Sequence, residues 1–410
     1  MLRSMFSAVS GLRSHQTMMD VIGNNIANVN TTGFKSSQAV FEDLLSQTIK
    51  GAGSPSTGLG GSNPSQVGIG VKIGTVATSF TQGALQQTGR STDMAIQGDG
   101  FFVVNAEGSQ MYTRAGAMSF DDNGKLVNPD GATVQGWMAD PSGKIDLNKP
   151  ISDLTMPPGE VIPPSQSHSV KLGGNLPSDA AAGTLVTASI TVYDEQGTAV
   201  PMVFDFTKSN TPNQWSVQAV DGAGANIGFP ATMTFDPTTG QLNPMNYSVT
   251  PPGVWDANGV AVNFGQPTDP TAVVQYGGVR SLAALSQDGN ALGSLQSYTI
   301  SPDGVVNGVF SNGQSRTLAQ IAMANFNNPV GLEKAGGSLF RTTVNSGLPL
   351  IGAAGTSGRG TLATGAVEMS NVDLGQEFTE MIVAQRGFQA NARVITASDE
   401  LLQDVVNLKR

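Results

Sequence analysis

Carboxylates set close together are the first residues to weigh for chemistry, because glycoside hydrolysis uses two facing acidic groups. Two such pairs occur, Asp121-Asp122 and Asp194-Glu195. Each is followed within two residues by Gly (Asn123-Gly124 and Gln196-Gly197), a hairpin-turn context, so both pairs are read as turn residues. Nucleophiles and bases are equally scarce. The 410 residues contain no Cys, which removes disulfides, thiolate metal ligands and Cys nucleophiles, and only two His, His15 and His168. His15 falls three residues after Leu12 on an apolar stripe, where an interface residue is the better reading than a metal ligand. Gly68-Ile69-Gly70 with Gly74 misplaces the third glycine of a dinucleotide-binding loop. No Gly-x-Ser-x-Gly elbow, phosphate-binding Gly-Lys-Ser/Thr loop or His-Glu-x-x-His motif appears. The expectation is a chain with no enzymatic activity, no cofactor and no metal site.

The elements that would have to position any site point elsewhere. A chain of this length exceeds one ordinary core and should divide into two or three domains. Gly (51) and Pro (22) are abundant and charged residues make up only 13 %, which reads as β-rich, turn-rich structure. A formal charge of −10 argues against nucleic acid as a partner. No apolar run approaches the roughly 18–20 residues that span a bilayer. The start, Met1 to Leu12, has no long apolar core followed by a small-residue cleavage site, so no cleaved secretory signal is expected.

Helical patterns stand at the two ends. Met5, Leu12, Met19 and Ile26 recur every seven residues, with Ala8, Ile22 and Val29 three positions behind members of that row. Val367, Leu374, Met381, Phe388, Ile395 and Leu402 repeat the period at the other end. A seven-residue apolar period suits helices that wind around one another. Two readings of these stripes stand: each helix packs on the β body, or the helices associate with one another and with further copies. The second is favoured because terminal helices dock between molecules without topological cost, and because the flanking Ser, Gln, Asn, Thr and Ala suit close packing. Residues 4–28 are expected to be helical, ended by the Asn-rich run and Gly33. Another helical turn is expected around Phe41, Leu44 and Leu45, and residues 50–66 read as a flexible connector. Phe101 to Val104 reads as an apolar strand, Trp215 as a core anchor of a second β region, and Pro157-Pro158 as a domain crossing. The expected fold is multidomain α+β: N- and C-terminal helices pairing as an inner coiled-coil layer, with two nested mainly-β domains. Its parts are residues 1–30 and 364–410 (inner), 31–70 (extended connector), 71–146 and 284–363 (middle β domain) and 147–283 (outer inserted β domain).

Several ordered motifs carry a resemblance. The run Asn24-Asn25-Ile26-Ala27-Asn28-Val29-Asn30-Thr31-Thr32-Gly33-Phe34-Lys35 resembles the N-terminal signature of the bacterial flagellar rod and hook proteins. Ser370-Asn371-Val372-Asp373-Leu374, Met381-Ile382, Gln385-Arg386, Gln389 and Ala390-Asn391 resemble that family's terminal helix. Ala95 to Phe102, Tyr112-Thr113-Arg114-Ala115-Gly116, Gly124 to Asn128 and Gly136-Trp137 resemble its middle-domain signatures. The long insert at about 147–283, with Ala188 to Gly197 and the strand around Trp215, is similar to that of hook members rather than the shorter distal rod members.

The resemblance implies a structural subunit of the flagellar hook that polymerises into a helical tube and works as a universal joint. It implies as partners further copies of the chain, the rod, the hook cap, the hook–filament junction proteins and the flagellar type III export apparatus, with no nucleic acid and no membrane insertion. Location would be extracellular, in the hook or basal body. On this reading Met5, Leu12, Met19, Ile22, Ile26, Val29, Leu374, Met381, Phe388, Ile395 and Leu402 carry assembly. Asn24, Asn25, Asn28, Asn30, Gly33, Phe34 and Lys35 form the family signature. Phe41 and Leu45, in Phe41-Glu42-Asp43-Leu44-Leu45, resemble an export motif or serve core packing. The alternatives are a distal rod protein and a secreted adhesin or enzyme with helical tails.

Overall fold

A computed structural model of the chain describes residues 2–54, 60–156, 159–221, 231–243, 254–257, 260–266 and 269–407. The chain is mostly β, with one long helix at each terminus. It forms two compact units, the first from Met1–Pro158, Thr299–Asn307 and Arg316–Arg410, the second from Gly159–Tyr298 and Gly308–Ser315. Pro157-Pro158, expected to mark a crossing, lies outside the described residues.

In the first unit helix α1 spans Leu2–Ala27 and helix α2 spans Leu374–Asn407. Helix α1 ends where Asn side chains compete for backbone groups. The Asn28 amide donates to the Asn24 carbonyl at 2.9 Å, and the Thr31 hydroxyl donates to Asn28 Oδ1 at 3.1 Å. Gly33 then takes the left-handed conformation at φ 68°. Helix α2 starts later than its apolar period suggests. Val367, counted on the helical stripe, lies instead in strand Ala366–Glu368. The reason is the cap: Asp373 Oδ1 accepts the backbone N–H of Gly375 (2.8 Å) and Gln376 (3.2 Å), which fixes the first turn beyond it. Replacing Asp373 with Ala is expected to cost about 1 kcal/mol and fray the first turn of α2, read as lost amide protection at residues 375–377.

The stretch read as an extended connector folds back on itself. Strand β1 (Ser37–Asp43) pairs antiparallel with β4 (Val71–Thr78), and β2 (Ser46–Lys50) with β3 (Ser65–Gly68). The expected helical turn at Phe41 to Leu45 is therefore wrong. Pairing of Phe41 with Ile73 and Glu42 with Lys72 draws these residues into a ribbon, a long-range partner that local periodicity does not reveal. Of the connector, Pro55 to Leu59 lie outside the described residues.

The main sheet of this unit holds β7 (Phe101–Ala106), preceded by β5 (Leu85–Gln87) and β6 (Met94–Gln97) and followed by β8 (Ser109–Thr113). Strand β7 lies between β8 and Thr133–Met138 and also meets Ser315–Asn325, so all four residues Phe101 to Val104 are buried on both faces. Phe101 and Phe340 meet Phe80 edge-on at 5.4 and 5.3 Å, and Tyr112 meets Phe326 at 4.8 Å, giving one aromatic core.

The second unit carries two sheets around one core. An antiparallel meander runs through Leu185–Tyr193, Ala199–Lys208, Gln214–Asp221 and Ala231–Thr234. Ser169–Pro177 centres the other sheet, parallel to Val260–Asn263 and Val273–Tyr276 and antiparallel to Ala283–Gln287. Alternate residues Met202, Phe204 and Phe206 point inward against Trp215, which is fully buried as its anchor reading expects.

The acidic pairs are turns. Asp121 Oδ1 accepts the N–H of Asn123 and Lys125, and Asp194 Oδ1 that of Gln196 and Thr198. The bond from the Thr198 N–H leads in holding the Asp194 carboxyl below its ordinary range. Among the described residues no helix is long and apolar enough to cross a membrane.

Candidate functional site

Two connected features of the first unit gather the residues singled out by sequence: the seam between α1 and α2, and the junction where α1 enters the β structure. The helices run antiparallel in constant register. The Gly11 backbone lies so close to Asn391 that an added Cβ would stand 2.9 Å from its amide nitrogen. Gly387 is pressed against the His15 ring, and Asn25 Nδ2 donates to Glu377 Oε1 at 2.9 Å. Small and polar residues make this close approach possible. Among the described residues, Ala8, Gly11, Ser14, Ile22 and Asn25 are the buried positions of α1, and Glu377, Ala384 and Ser398 those of α2. The second set is itself spaced by multiples of seven, completed by half-buried Asn391.

The large apolar rows sit beside this seam. Met5, Leu12, Met19 and Ile26 are half-buried on α1, Ile22 is fully buried, and Val29 is half-buried in the turn that follows. On α2, Met381, Phe388, Ile395 and Leu402 are half-buried and Leu374 is exposed. Phe378, Ile382, Val383, Val394 and Leu401 are also exposed, so α2 presents apolar surface beyond what α1 covers. The ribbon flanks α1: Ser7 Oγ donates to the Ile69 carbonyl at 2.9 Å, and the Phe41 ring lies 5.3 Å from that of His15. Leu45, beyond β1, is 87 % exposed.

At the junction the signature residues divide by role. Asn25 pairs with the backbone of Ser37, its Nδ2 donating to the carbonyl at 2.8 Å and its Oδ1 accepting the N–H at 3.0 Å, which ties the end of α1 to β1. Asn24 and Asn30 are exposed, and Asn28 and Phe34 half-buried. Gly33 N–H donates to the Glu368 carbonyl at 2.7 Å. Lys35 is wholly buried and its ammonium meets Glu368 at 2.5 Å and the Thr81 carbonyl at 2.7 Å. The same carboxylate accepts Gly83 N–H at 2.8 Å and lies 3.6 Å from Arg114, whose guanidinium also donates to the Gly98 carbonyl and sits 5.3 Å from the Phe101 ring centre. Burial lowers the Lys35 pKa, and the pull of Glu368 only partly offsets it; burial lowers Arg114 likewise. Asn371 closes the junction, accepting Ser36 N–H at 2.8 Å and donating to the Ser79 carbonyl at 3.0 Å. Lys334 donates to the Lys35 carbonyl and to Ser37 Oγ while its ammonium stands over Phe34 at 4.9 Å.

The arrangement is structural chemistry: opposite ends of the sequence are bolted to the β core by a buried ion triad and side-chain amides. Sequence reasoning found Asn25, Gly33, Lys35, Arg114 and Asn371 as signature members but missed Glu368 and Glu377. A single acid between Val367 and Met369 in a strand-like run was the available signal for Glu368. For Glu377 it was an acid three residues after Leu374, on the inward side of the helix.

Comparison with known proteins places these features in a family. Residues 5–35 match the family model for flagella basal body rod protein, and 95–174 that for the flagellar hook protein FlgE/F/G D1 domain. Residues 167–290 match the flagellar basal body protein FlaE D2 domain, and 363–408 the flagellar basal body rod FlgEFG protein C-terminal region. The chain is 40% identical to flagellar hook protein FlgE of Borreliella burgdorferi, over 100% of both chains. It is 32% identical to flagellar basal-body rod protein FlgG of Bacillus subtilis, again over 100% of both. The crystal structure of Helicobacter pylori flagellar hook protein FlgE2 shares the fold at a TM-score of 0.51 and 16% identity, covering 68% of this chain and 98% of that one. Its motifs at both termini and its full-length likeness to FlgE lead to one conclusion: the chain belongs to the family of flagellar hook and basal-body rod proteins.

Proposed function

We propose that the chain is the structural subunit of the bacterial flagellar hook, polymerising into a helical tube that acts as a universal joint and passes motor torque to the filament. The observation that carries this is the likeness to a flagellar hook protein along the whole of both chains, at 40% identity. Assembly rests on α1 and α2, read as an inner coiled-coil layer. Exposed Phe378, Ile382, Val383, Val394 and Leu401 supply the apolar surface that neighbouring copies cover, each side chain contributing about 1.5–3 kcal/mol when fully buried. Residues 71–146 and 284–363 form the middle domain and 147–283 the outer insert. The role is structural rather than enzymatic. The subunit leaves the cell through the flagellar export apparatus without a cleaved signal, with Phe41 and Leu45 in the export motif, and meets rod, hook cap and hook–filament junction proteins at its destination.

Ile382→Asp tests the assembly surface. The site is exposed in the single chain, so stability should change by no more than about 0.5 kcal/mol. A charge buried between copies should nevertheless abolish hooks in electron micrographs, and Leu402→Asp should do the same. Normal hooks in both variants would remove α2 from the interface. The full-length likeness to a rod protein keeps a second reading, the distal rod. Immunogold labelling with antibody to residues 147–283 separates the two. Label on the short curved segment establishes the hook, and label confined to the straight axle establishes the rod.

A further inference from the structure

Glu377 is the carboxylate set deepest in the helix seam. It is 8 % exposed, one oxygen accepts from Asn25, and the other is buried with no hydrogen-bond partner. Among the described residues no cation pairs with it. From α1 the seam presents Asn25, and behind that amide stands the Ser37 backbone of β1, with Lys334 donating to the Ser37 hydroxyl. On its own helix the neighbouring charged groups are Glu380, whose like charge opposes ionisation, and Asp373, whose carbonyl accepts the Glu377 N–H. A carboxylate in the first turn of a helix is ordinarily favoured by the exposed backbone N–H groups. Burial outweighs that here and, with help from Glu380, pushes the Glu377 pKa above its ordinary value, Asn25 offsetting part of the effect.

We propose that Glu377 makes the α1–α2 seam an acid-tightened clasp, in which the helices hold each other more firmly in mildly acidic than in neutral surroundings. The sign follows from linkage. A group whose folded-state pKa is raised contributes stability that is full below its unfolded value, 4.5, and is lost as pH rises through the higher folded value. Protonation removes the buried charge and gives the unpartnered oxygen a proton to donate. At neutral pH the seam therefore carries a buried charge that weakens it, and acid relieves it. The inference does not depend on the hook assignment, since it concerns the helix pair of a single chain.

The chain has no Cys, so two introduced cysteines label it without background. Spin labels at exposed Gln16 and Gln385, as Gln16→Cys and Gln385→Cys in the full-length chain, report the closed fraction of the pair by pulsed dipolar spectroscopy. That fraction is followed through a urea titration at pH 7.5 and pH 4.5, with and without Glu377→Gln. The amide variant keeps an acceptor for Asn25 and removes the charge. Its opening midpoint should lie above that of the parent at pH 7.5, with the gap closing at pH 4.5. Equal midpoints at pH 7.5, a lower midpoint for the variant, or a pair open under every condition would overturn the proposal. A carbon-13 titration of the parent gives the second measurement: a Glu377 carboxyl midpoint above 4.5 supports the clasp, and one at or below 4.5 sinks it even if Glu377→Gln fails to fold.

Discussion

Glu368→Ala should unfold the junction, at a cost of about 3–5 kcal/mol to the first unit. The carboxylate stands against two buried cations, Lys35 at 2.5 Å and Arg114 at 3.6 Å, and it also accepts Gly83 N–H. Removing it leaves the buried Lys35 ammonium without its counter-charge and Arg114 with only the charge of Asp99 to answer it. Removing Lys35 leaves a matched pair of Glu368 and Arg114, so Lys35→Met should cost clearly less. The order of the two effects distinguishes an ion triad from a simple pair, in which either deletion would be equally harmful. A pH signature accompanies it. Burial already lowers the Lys35 pKa, and losing Glu368 removes the interaction that most opposes that shift. A lysine whose folded pKa is depressed destabilises the fold below that value and stops doing so as pH rises toward its unfolded value of 10.5. Glu368→Ala should therefore recover part of its stability between neutral pH and about pH 10, whereas Glu368→Ala combined with Lys35→Met should not. Hydrogen exchange of the peptides spanning β6 to β8 reads the loss locally, which a chain of two units requires. A Glu368→Ala protein with parental protection at pH 7 would show that the triad contributes nothing.

How much of this was legible in the sequence depends on whether the deciding partner was local. Helix α1 was, because its apolar period and its Asn-rich stop lie within the same 30 residues. So was Phe101 to Val104, since four consecutive apolar residues fit a strand covered on both faces. The ribbon was not: Phe41 pairs with Ile73 across a stretch whose composition suggests only flexibility. The seam was legible in its seven-residue period, but the phase of the row buried within the chain was not. The eye follows Met381, Phe388, Ile395 and Leu402, yet the row that faces α1 is buried Glu377, Ala384 and Ser398 with half-buried Asn391, the last three small enough to let two backbones approach. The large side chains, read as carrying assembly, lie at the margin of this contact, half-open. Glu377 was hidden for the same reason, because an acid beside an apolar stripe is ordinarily a solvated one. Glu368 was hidden differently. Its partners come from positions 35, 83 and 114, and nothing in a single sequence says that four distant segments converge.

Gly33→Ala should be the most damaging substitution in the signature that changes no charge, at about 2–4 kcal/mol. Two penalties coincide. The backbone there is left-handed at φ 68°, which an alanine adopts at a cost of about 1 kcal/mol. A Cβ would also overlap the backbone nitrogen of Ala115, and that neighbour cannot give way. Ala115 adjoins Gly116, which is pressed in turn against the Met94 carbonyl, so three chain segments are stacked with no side chain between them. Relief by moving residue 33 outward would break its N–H bond to the Glu368 carbonyl and pull Lys35 from the carboxylate two residues on. The effect should thus spread from a turn to the ion triad and to the exit of α1, and Gly33→Ala combined with Glu368→Ala should cost less than the sum of the two. Gly23→Ala is the control: it lies in α1 with nothing within 4 Å of its added Cβ, and it should be neutral or stabilising. If Gly33→Ala melted like Gly23→Ala, the close stack at Ala115 would not be what joins the terminal helix to the β core.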